Sequence, residues 1–484
     1  MHKINRGNYF IIPPLLITVL FLFFAISIFI VRGYAQKMSF LGGDEPHYIM
    51  MTDSLVRDGD FNLKNDYEQS RSDQYYPIKG LFPHIAPIID YKNSNNWYSI
   101  HTIGLPLLIY YPYKIFGVIG ARLFLMALQI LSIVLFYMIL KKYLKDKVRV
   151  FLGIILVFCS SILWQNIGGI FPDYFTILLL EVSILLFARK NIISNLALAI
   201  TNLIGLLLHT KIILLIGPIF VAHNLYLMKN LGLKEFIKKY AVIFIPVVAG
   251  LIYYIRFLKI NYGIFSPSQI YGTNGQLFTG NYFTNSLAIL TDRTKGLFIY
   301  FPLLLILPIY LFRGAMNIKK KYKNILQNKA EFNKDLYLLF GFITGIMLLL
   351  LTQIGFNDWS GSYSPNGRYM LVFIFFAIFM IAKYTNYKNI LEITTIATLA
   401  FCSFVMSVLF VFNNLHYFDT GQIVWPTSSM DRFNLLPVFP IISSNADQDM
   451  VLRSAFVLLL VVVVNFVCYK IFLFNRRNIT SNNK

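Results

Sequence analysis

Two acids stand side by side in Gly43-Asp44-Glu45-Pro46-His47-Tyr48. A carboxylate placed against an incoming hydroxyl or amine can act as a general base. Asp is equally suited to cap a helix N-terminus, where its side chain accepts from exposed backbone N–H groups. On these residues alone both readings stand. Asp44, Glu45 and His47 are all potential metal ligands, yet neighbouring residues seldom converge on one ion. No second His or acid cluster accompanies them, so a divalent metal is not favoured and no metal ligand is assigned.

Other segments carry chemically able side chains. Asp173 lies in Gly168-Gly169-Ile170-Phe171-Pro172-Asp173-Tyr174 and either faces a polar cavity or protrudes into water. In Leu208-His209-Thr210-Lys211, Lys211 offers a point charge to a phosphate or a snorkelling anchor at the interface, and His209 stands beside it. Arg293 and Lys295, in Asp292-Arg293-Thr294-Lys295-Gly296, either contact a phosphate or sugar or belong to a polar helix cap. The stretch Asn357-Asp358-Trp359-Ser360-Gly361-Ser362-Tyr363-Ser364-Pro365-Asn366-Gly367-Arg368-Tyr369 is the least ordinary. Its Arg368 can grip a phosphate with two parallel N–H donors. Trp359 and Tyr369 offer aromatic faces, although interfacial aromatics are routine in membranes.

The elements that position these residues are helices in lipid. Of 484 residues 57% are apolar and 13% charged, against about 25% charged in a soluble domain. Apolar runs long enough for a bilayer place helices near 9–31, 121–140, 148–165, 174–188, 192–208, 211–228, 241–257, 296–313, 336–354, 369–384, 390–412 and 453–474. The first run is too long for a signal-peptide core and has no small-residue cleavage site, so it reads as a retained helix. Most of the 43 Lys and Arg, and few of the 22 Asp and Glu, then fall in alternate segments such as 141–147 and 319–323. That asymmetry puts both termini inside. Lipid headgroups suffice to explain the basic patches. With no aromatic-interleaved basic groove, a nucleic-acid partner is excluded despite the net charge of +21. The three cysteines lie in apolar runs and read as core residues.

The expected fold is therefore an all-α polytopic membrane protein of about twelve transmembrane helices. It forms one unit over 1–484, with no separate soluble domain and no repeat. The first outer loop, about 32–120, holds the acidic pair. After Glu45, apolar Tyr48, Ile49, Leu55 and Val56 line one face and Asp53, Arg57 and Asp58 another, which predicts an amphipathic juxtamembrane helix on the membrane surface. The run 104–118, with Pro106 and Pro112, is short for a span and reads as re-entrant or interfacial. The outer segment 413–452 is polar and aromatic, fit for a lid or acceptor contact.

Charge-derived topology puts Asp44, Asp173, Lys211, Arg293 and Arg368 on one outer face. Acids and cations at one depth suit a reaction on a phosphate-bearing lipid. With these residues in view, the chain resembles the GT-C superfamily of membrane glycosyltransferases. It looks most like the bacterial branch of protein O-mannosyltransferases and aminoarabinose (lipid A) transferases. The resemblance rests on Asp44-Glu45 after the first helix, on His101-Thr102-Ile103-Gly104-Leu105-Pro106, on Asp173 in the next outer turn and on the Trp359–Tyr369 loop. His47 departs from relatives that carry Arg there.

The resemblance implies a multi-pass enzyme of the plasma (inner) membrane with an extracytoplasmic active site. Its donor would be a sugar on polyprenyl phosphate, and its acceptor a glycolipid, a cell-surface glycan or a protein. Transfer would invert the anomeric centre. Asp44 would be the base, with Glu45 and His47 orienting it or the acceptor. Arg368, Lys211 and Arg293 would hold the lipid phosphate, and Asp173 would shape the acceptor side. No cofactor beyond the lipid-linked donor is implied. Two other classes fit the same compartment: a flippase for lipid-linked saccharides, and a glycan polymerase or ligase of unrelated fold. Charges at the outer interface and the lack of paired broken helices weigh against the flippase.

Overall fold

A computed structural model describes residues 14–36, 44–69, 83–86, 95–144, 146–265, 270, 280–292, 296–324, 329–356 and 368–420, with isolated helical positions between 457 and 466. In chain order the helices are α1 (Pro14–Gln36), α2 (Glu45–Arg57), α3 (Lys64–Glu68), α4 (Gly104–Tyr143), α5 (Lys147–Phe158), α6 (Ser161–Gln165), α7 (Asp173–Leu186) and α8 (Ile192–Leu208). They continue as α9 (Thr210–Leu231), α10 (Leu233–Tyr262), α11 (Tyr282–Thr291), α12 (Leu297–Tyr300), α13 (Leu307–Asn324), α14 (Lys329–Gly355), α15 (Leu371–Tyr384) and α16 (Ile390–Thr420). Among the described residues extended pairing is confined to one antiparallel bridge, between Ile85 and Ser99.

This is an α-helical membrane protein. Segments Gly104–Tyr143, Thr210–Leu231, Ile243–Tyr262, Lys334–Gly355 and Ile390–Leu409 are long and apolar enough to cross a bilayer. Their outer faces carry large apolar side chains, such as Ile245 and Ile252 on α10 and Phe340 and Met347 on α14. With no hydrophobic drive between helices in lipid, close backbone approach is a main source of attraction. Gly345 shows it: a Cβ there would lie 2.2 Å from the Leu215 carbonyl oxygen, so α14 presses directly on the backbone of α9.

Several expectations change in detail. Helix α2 does not present a wholly wet polar face, although Arg57 and Asp58 at its end are exposed. Its residues 45–54 are buried, Asp53 included, because α2 packs against α4. Asp53 accepts from Tyr113 Oη of α4 and from Arg57 Nε, both at 2.9 Å, so its charge is met inside the protein. The run 104–118 is set off from the helix that follows, as its separate short run in the sequence suggests. It forms the first part of α4, and the helix breaks only at Gly117, whose φ of 61° and ψ of −150° suit glycine. The expected helix 148–165 divides at 159–160 into α5 and α6. The expected helix 296–313 is interrupted by a 3₁₀ turn, Pro302–Ile306, where Pro302 cannot donate a helical hydrogen bond. Residues 421–452 lie outside the described residues. Cys159 and Cys402 are free thiols, but Cys159 is only half-buried and Cys402 is exposed on the face of its helix, so neither is the core residue that its apolar run suggests.

A buried ion pair fixes α2 to the bundle. Glu45 receives both terminal nitrogens of Arg122, at 3.0 and 3.1 Å, and the Ile170 amide at 2.7 Å. Arg122 also donates to the Gly168 carbonyl at 2.9 Å. One carboxylate thus ties α2, α4 and the turn before α7 together. Removing one partner of such a pair leaves an uncompensated charge. Arg122→Met is expected to cost about 3–5 kcal/mol, read as a lower thermal midpoint in detergent. The double variant Glu45→Gln/Arg122→Met is expected to recover more than half of that loss. A single variant as stable as the wild type would show that the pair does not brace the fold.

Candidate functional site

The N-terminal ends of α2, α7, α9 and α15 bring the chemically able side chains together. Asp44 precedes α2, yet its side chain makes no capping hydrogen bond. Its Oδ2 instead accepts from Arg368 Nη2 at 2.8 Å. Arg368 opens the short 3₁₀ turn Arg368–Met370 ahead of α15. Its Nε also lies 3.7 Å from Asp173 Oδ2, at the first residue of α7. One guanidinium therefore sits between two acids from distant parts of the chain.

Aromatic rings frame that cation. The Arg368 guanidinium lies 4.4 Å from the Phe171 ring centroid and 4.5 Å from that of Tyr369. It also donates to Tyr369 Oη at 2.5 Å. Lys211 Nζ stands over the Tyr369 ring at 3.5 Å, so a second cation faces the same aromatic. The Nε and Nη1 atoms of buried Arg368 make no hydrogen bond among the described residues. That leaves donor capacity pointed into the cluster.

The electrostatics follow from these distances. Burial alone would raise the Asp44 pKa. Attraction to Arg368, to His101 and to His47, with the Arg368 hydrogen bond, overrides it and holds the carboxyl well below the usual range. The Asp44 side chain keeps 28% exposure, so it remains reachable.

Behind Asp44 lie three histidines. His84 Nδ1 and His101 Nε2 are 3.2 Å apart. His47 stacks on His84 with ring centroids 3.7 Å apart, and its Nδ1 is 3.2 Å from Tyr67 Oη. Backbone pairing sets their positions: the Ala86 amide donates to Tyr98 at 2.9 Å and the Ile100 amide to His84 at 3.0 Å. Tyr262 Oη secures this segment through the Ser99 carbonyl at 2.9 Å. Burial pushes His101 down to about 4 against the pull of Asp44, and lowers His47 and His84 as well.

The sequence-derived candidates thus divide. Asp44, Asp173, Lys211, Arg368 and Tyr369 form one cluster. Glu45 is turned away to Arg122 and braces rather than faces the site. His47 meets Tyr67 and His84. His209 is a half-buried cap of α9, its Nδ1 accepting from the Lys211 amide at 3.1 Å. Arg293, Lys295 and Trp359 lie outside the described residues. The expectation that no second His cluster exists is overturned by His84 and His101. Their spacing of 17 residues in a loop follows no helical or strand period, so only the Ile85–Ser99 pairing reveals them. Arg122 and Phe171 were also not singled out. An arginine inside an apolar run was the available signal for the first.

No family model matches the chain, and neither does a curated protein or a solved structure.

With Arg368 replaced by Met, burial of Asp44 is no longer offset by the nearby guanidinium. The carboxyl is expected to rise above the ordinary value of about 4. Infrared difference spectra referenced to Asp44→Asn can follow it. In the wild type the Asp44 band stays ionised at about pH 4, whereas Arg368→Met shows the protonated carboxyl band at about pH 5. An unchanged band would mean that Arg368 does not control this acid.

Proposed function

We propose that this protein is a membrane glycosyltransferase that moves a sugar from a polyprenyl-phosphate carrier to an acceptor outside the membrane, with inversion. The reading places about twelve helices in the plasma membrane, with both termini cytoplasmic and the Asp44 cluster extracytoplasmic. The observation that carries it is the Asp44–Arg368–Asp173 arrangement: an acid still open to solvent, next to a buried Arg368 whose Nε and Nη1 make no hydrogen bond among the described residues, with the half-buried Lys211 over the ring of Tyr369.

The chemistry can be written on these groups. An acceptor hydroxyl or amine attacks the anomeric carbon from the face opposite the lipid phosphate. Asp44 takes the acceptor proton as the new glycosidic bond forms. The bond from the anomeric carbon to the phosphate oxygen breaks, and the phosphate leaves with the electron pair. Arg368 and Lys211 stabilise that developing charge. As held by Arg368, Asp44 is a weak base, because efficient proton transfer needs a pKa nearer the working pH. A donor phosphate that engages Nε and Nη1 of Arg368 draws charge away from Asp44 and strengthens the base. Base strength is then coupled to donor binding. The acceptor is a glycolipid, a surface glycan or a protein.

The test uses purified protein in detergent or vesicles with labelled pentoses and hexoses on polyprenyl phosphate. Asp44→Asn is expected to remain folded and to lose about 10²–10⁴-fold in transfer rate. Arg368→Met is expected to lose about 10²–10³-fold. Undiminished transfer by Asp44→Asn would sink the reading. Lipid translocation across vesicles without any sugar transfer would favour the flippase instead.

A further inference from the structure

Asp44, His84 and His101 each offer one ligand atom, and these atoms all lie within 4.8 Å of one another. The pairing of His84 Nδ1 with His101 Nε2 at 3.2 Å is close to the separation of two ligands on one ion. Two donors bound to zinc at its usual Zn–N length and a tetrahedral angle are about 3.4 Å apart. The two imidazoles come from segments held by backbone hydrogen bonds, and His101 is further fixed by its amide, which donates to Ser99 Oγ at 3.1 Å. His84 is clamped from the other side by the parallel ring of His47, while its amide donates to Tyr67 Oη at 3.3 Å. These contacts fix the backbone at both histidines, and the stacked His47 ring limits rotation of His84. Asp44 gives one oxygen to Arg368, and a carboxylate has a second.

We infer that Asp44, His84 and His101 form a binding site for one divalent transition metal ion, with zinc the best fit. Two imidazoles and one carboxylate are a borderline donor set that suits Zn²⁺ better than the hard ions Mg²⁺ and Ca²⁺, which take mostly oxygen. Three protein ligands leave a coordination position open to water or a substrate oxygen. The ion would add positive charge at Asp44, which already accepts from Arg368. The inference concerns metal binding itself and does not depend on the transferase reading.

The test reads the metal directly. Tag-free full-length protein in detergent is stripped with chelator, desalted and titrated with Zn²⁺ by calorimetry, with metal content measured by elemental analysis. The wild type is expected to hold one Zn²⁺ per chain. His84→Ala and His101→Ala are each expected to weaken binding by more than about 100-fold. His47→Ala, which removes the stacked ring but no donor, is expected to keep one ion per chain. Co²⁺ in the wild type is expected to give visible absorption bands that vanish in His101→Ala. Should the alanine variants not fold, His101→Gln keeps the bulk of the side chain and serves in their place. Wild-type protein that binds no more Zn²⁺ than the His84→Ala/His101→Ala double variant would overturn the site, leaving the 3.2 Å contact as an ordinary hydrogen bond between neutral rings. Because binding is read without turnover, the metal site can fail while Asp44→Asn still abolishes transfer, and it can stand while transfer fails.

Discussion

A full positive charge at Arg368, only 5% exposed, is tolerable only because Asp44 and Asp173 face it. An isolated buried ion is costly, and the same ion between two acids and two aromatic rings is not. That constraint reaches well beyond the cluster. It requires the starts of α2 and α7 and the turn ahead of α15 to meet at one point. The Glu45–Arg122 pair then holds α2 and the turn before α7 at the spacing that Arg368 needs. Charge compensation thus sets the architecture at this end of the bundle.

A second buried pair does related work elsewhere. Glu392 receives Arg313 through both terminal nitrogens, at 2.5 and 3.1 Å, and also accepts from Tyr310 Oη and the Asn386 amide. It joins α13 to the turn between α15 and α16. Both pairs are bidentate, and in both the carboxylate also takes a backbone N–H. The difference lies at Asp44, whose carboxylate shares only one guanidinium nitrogen and stays partly open. Closed pairs suit a scaffold, and an open one suits a site that has to exchange partners.

Most of the helices were legible in the sequence because lipid imposes long apolar runs, and 192–208 matches α8 end to end. The breaks were harder to foresee. Pro302 marks one that the expected helix 296–313 ran through, whereas the break at Gly117 falls at the end of the separately expected run 104–118. The burial of α2 was misread for a physical reason: an amphipathic pattern shows that a helix has two faces, not what covers the polar one. Here Tyr113 covers Asp53. Asp44, Asp173 and Arg368 could be put on one side by counting loop charges. Their contact, and the His84–His101 pair, depend on long-range packing that no local spacing encodes.

The Asp44–Arg368 hydrogen bond joins residues 324 positions apart. During synthesis at roughly 5–20 residues per second, Asp44 emerges roughly 15–65 s before its partner. Over that interval the acid has no guanidinium to offset its charge. The cluster is therefore among the last parts of the molecule to assemble, after α2, α4 and α7 are already available to pack. A chain stopped before Arg368 lacks the charge that completes the cluster, so the site depends on the late part of the sequence as much as on the early part.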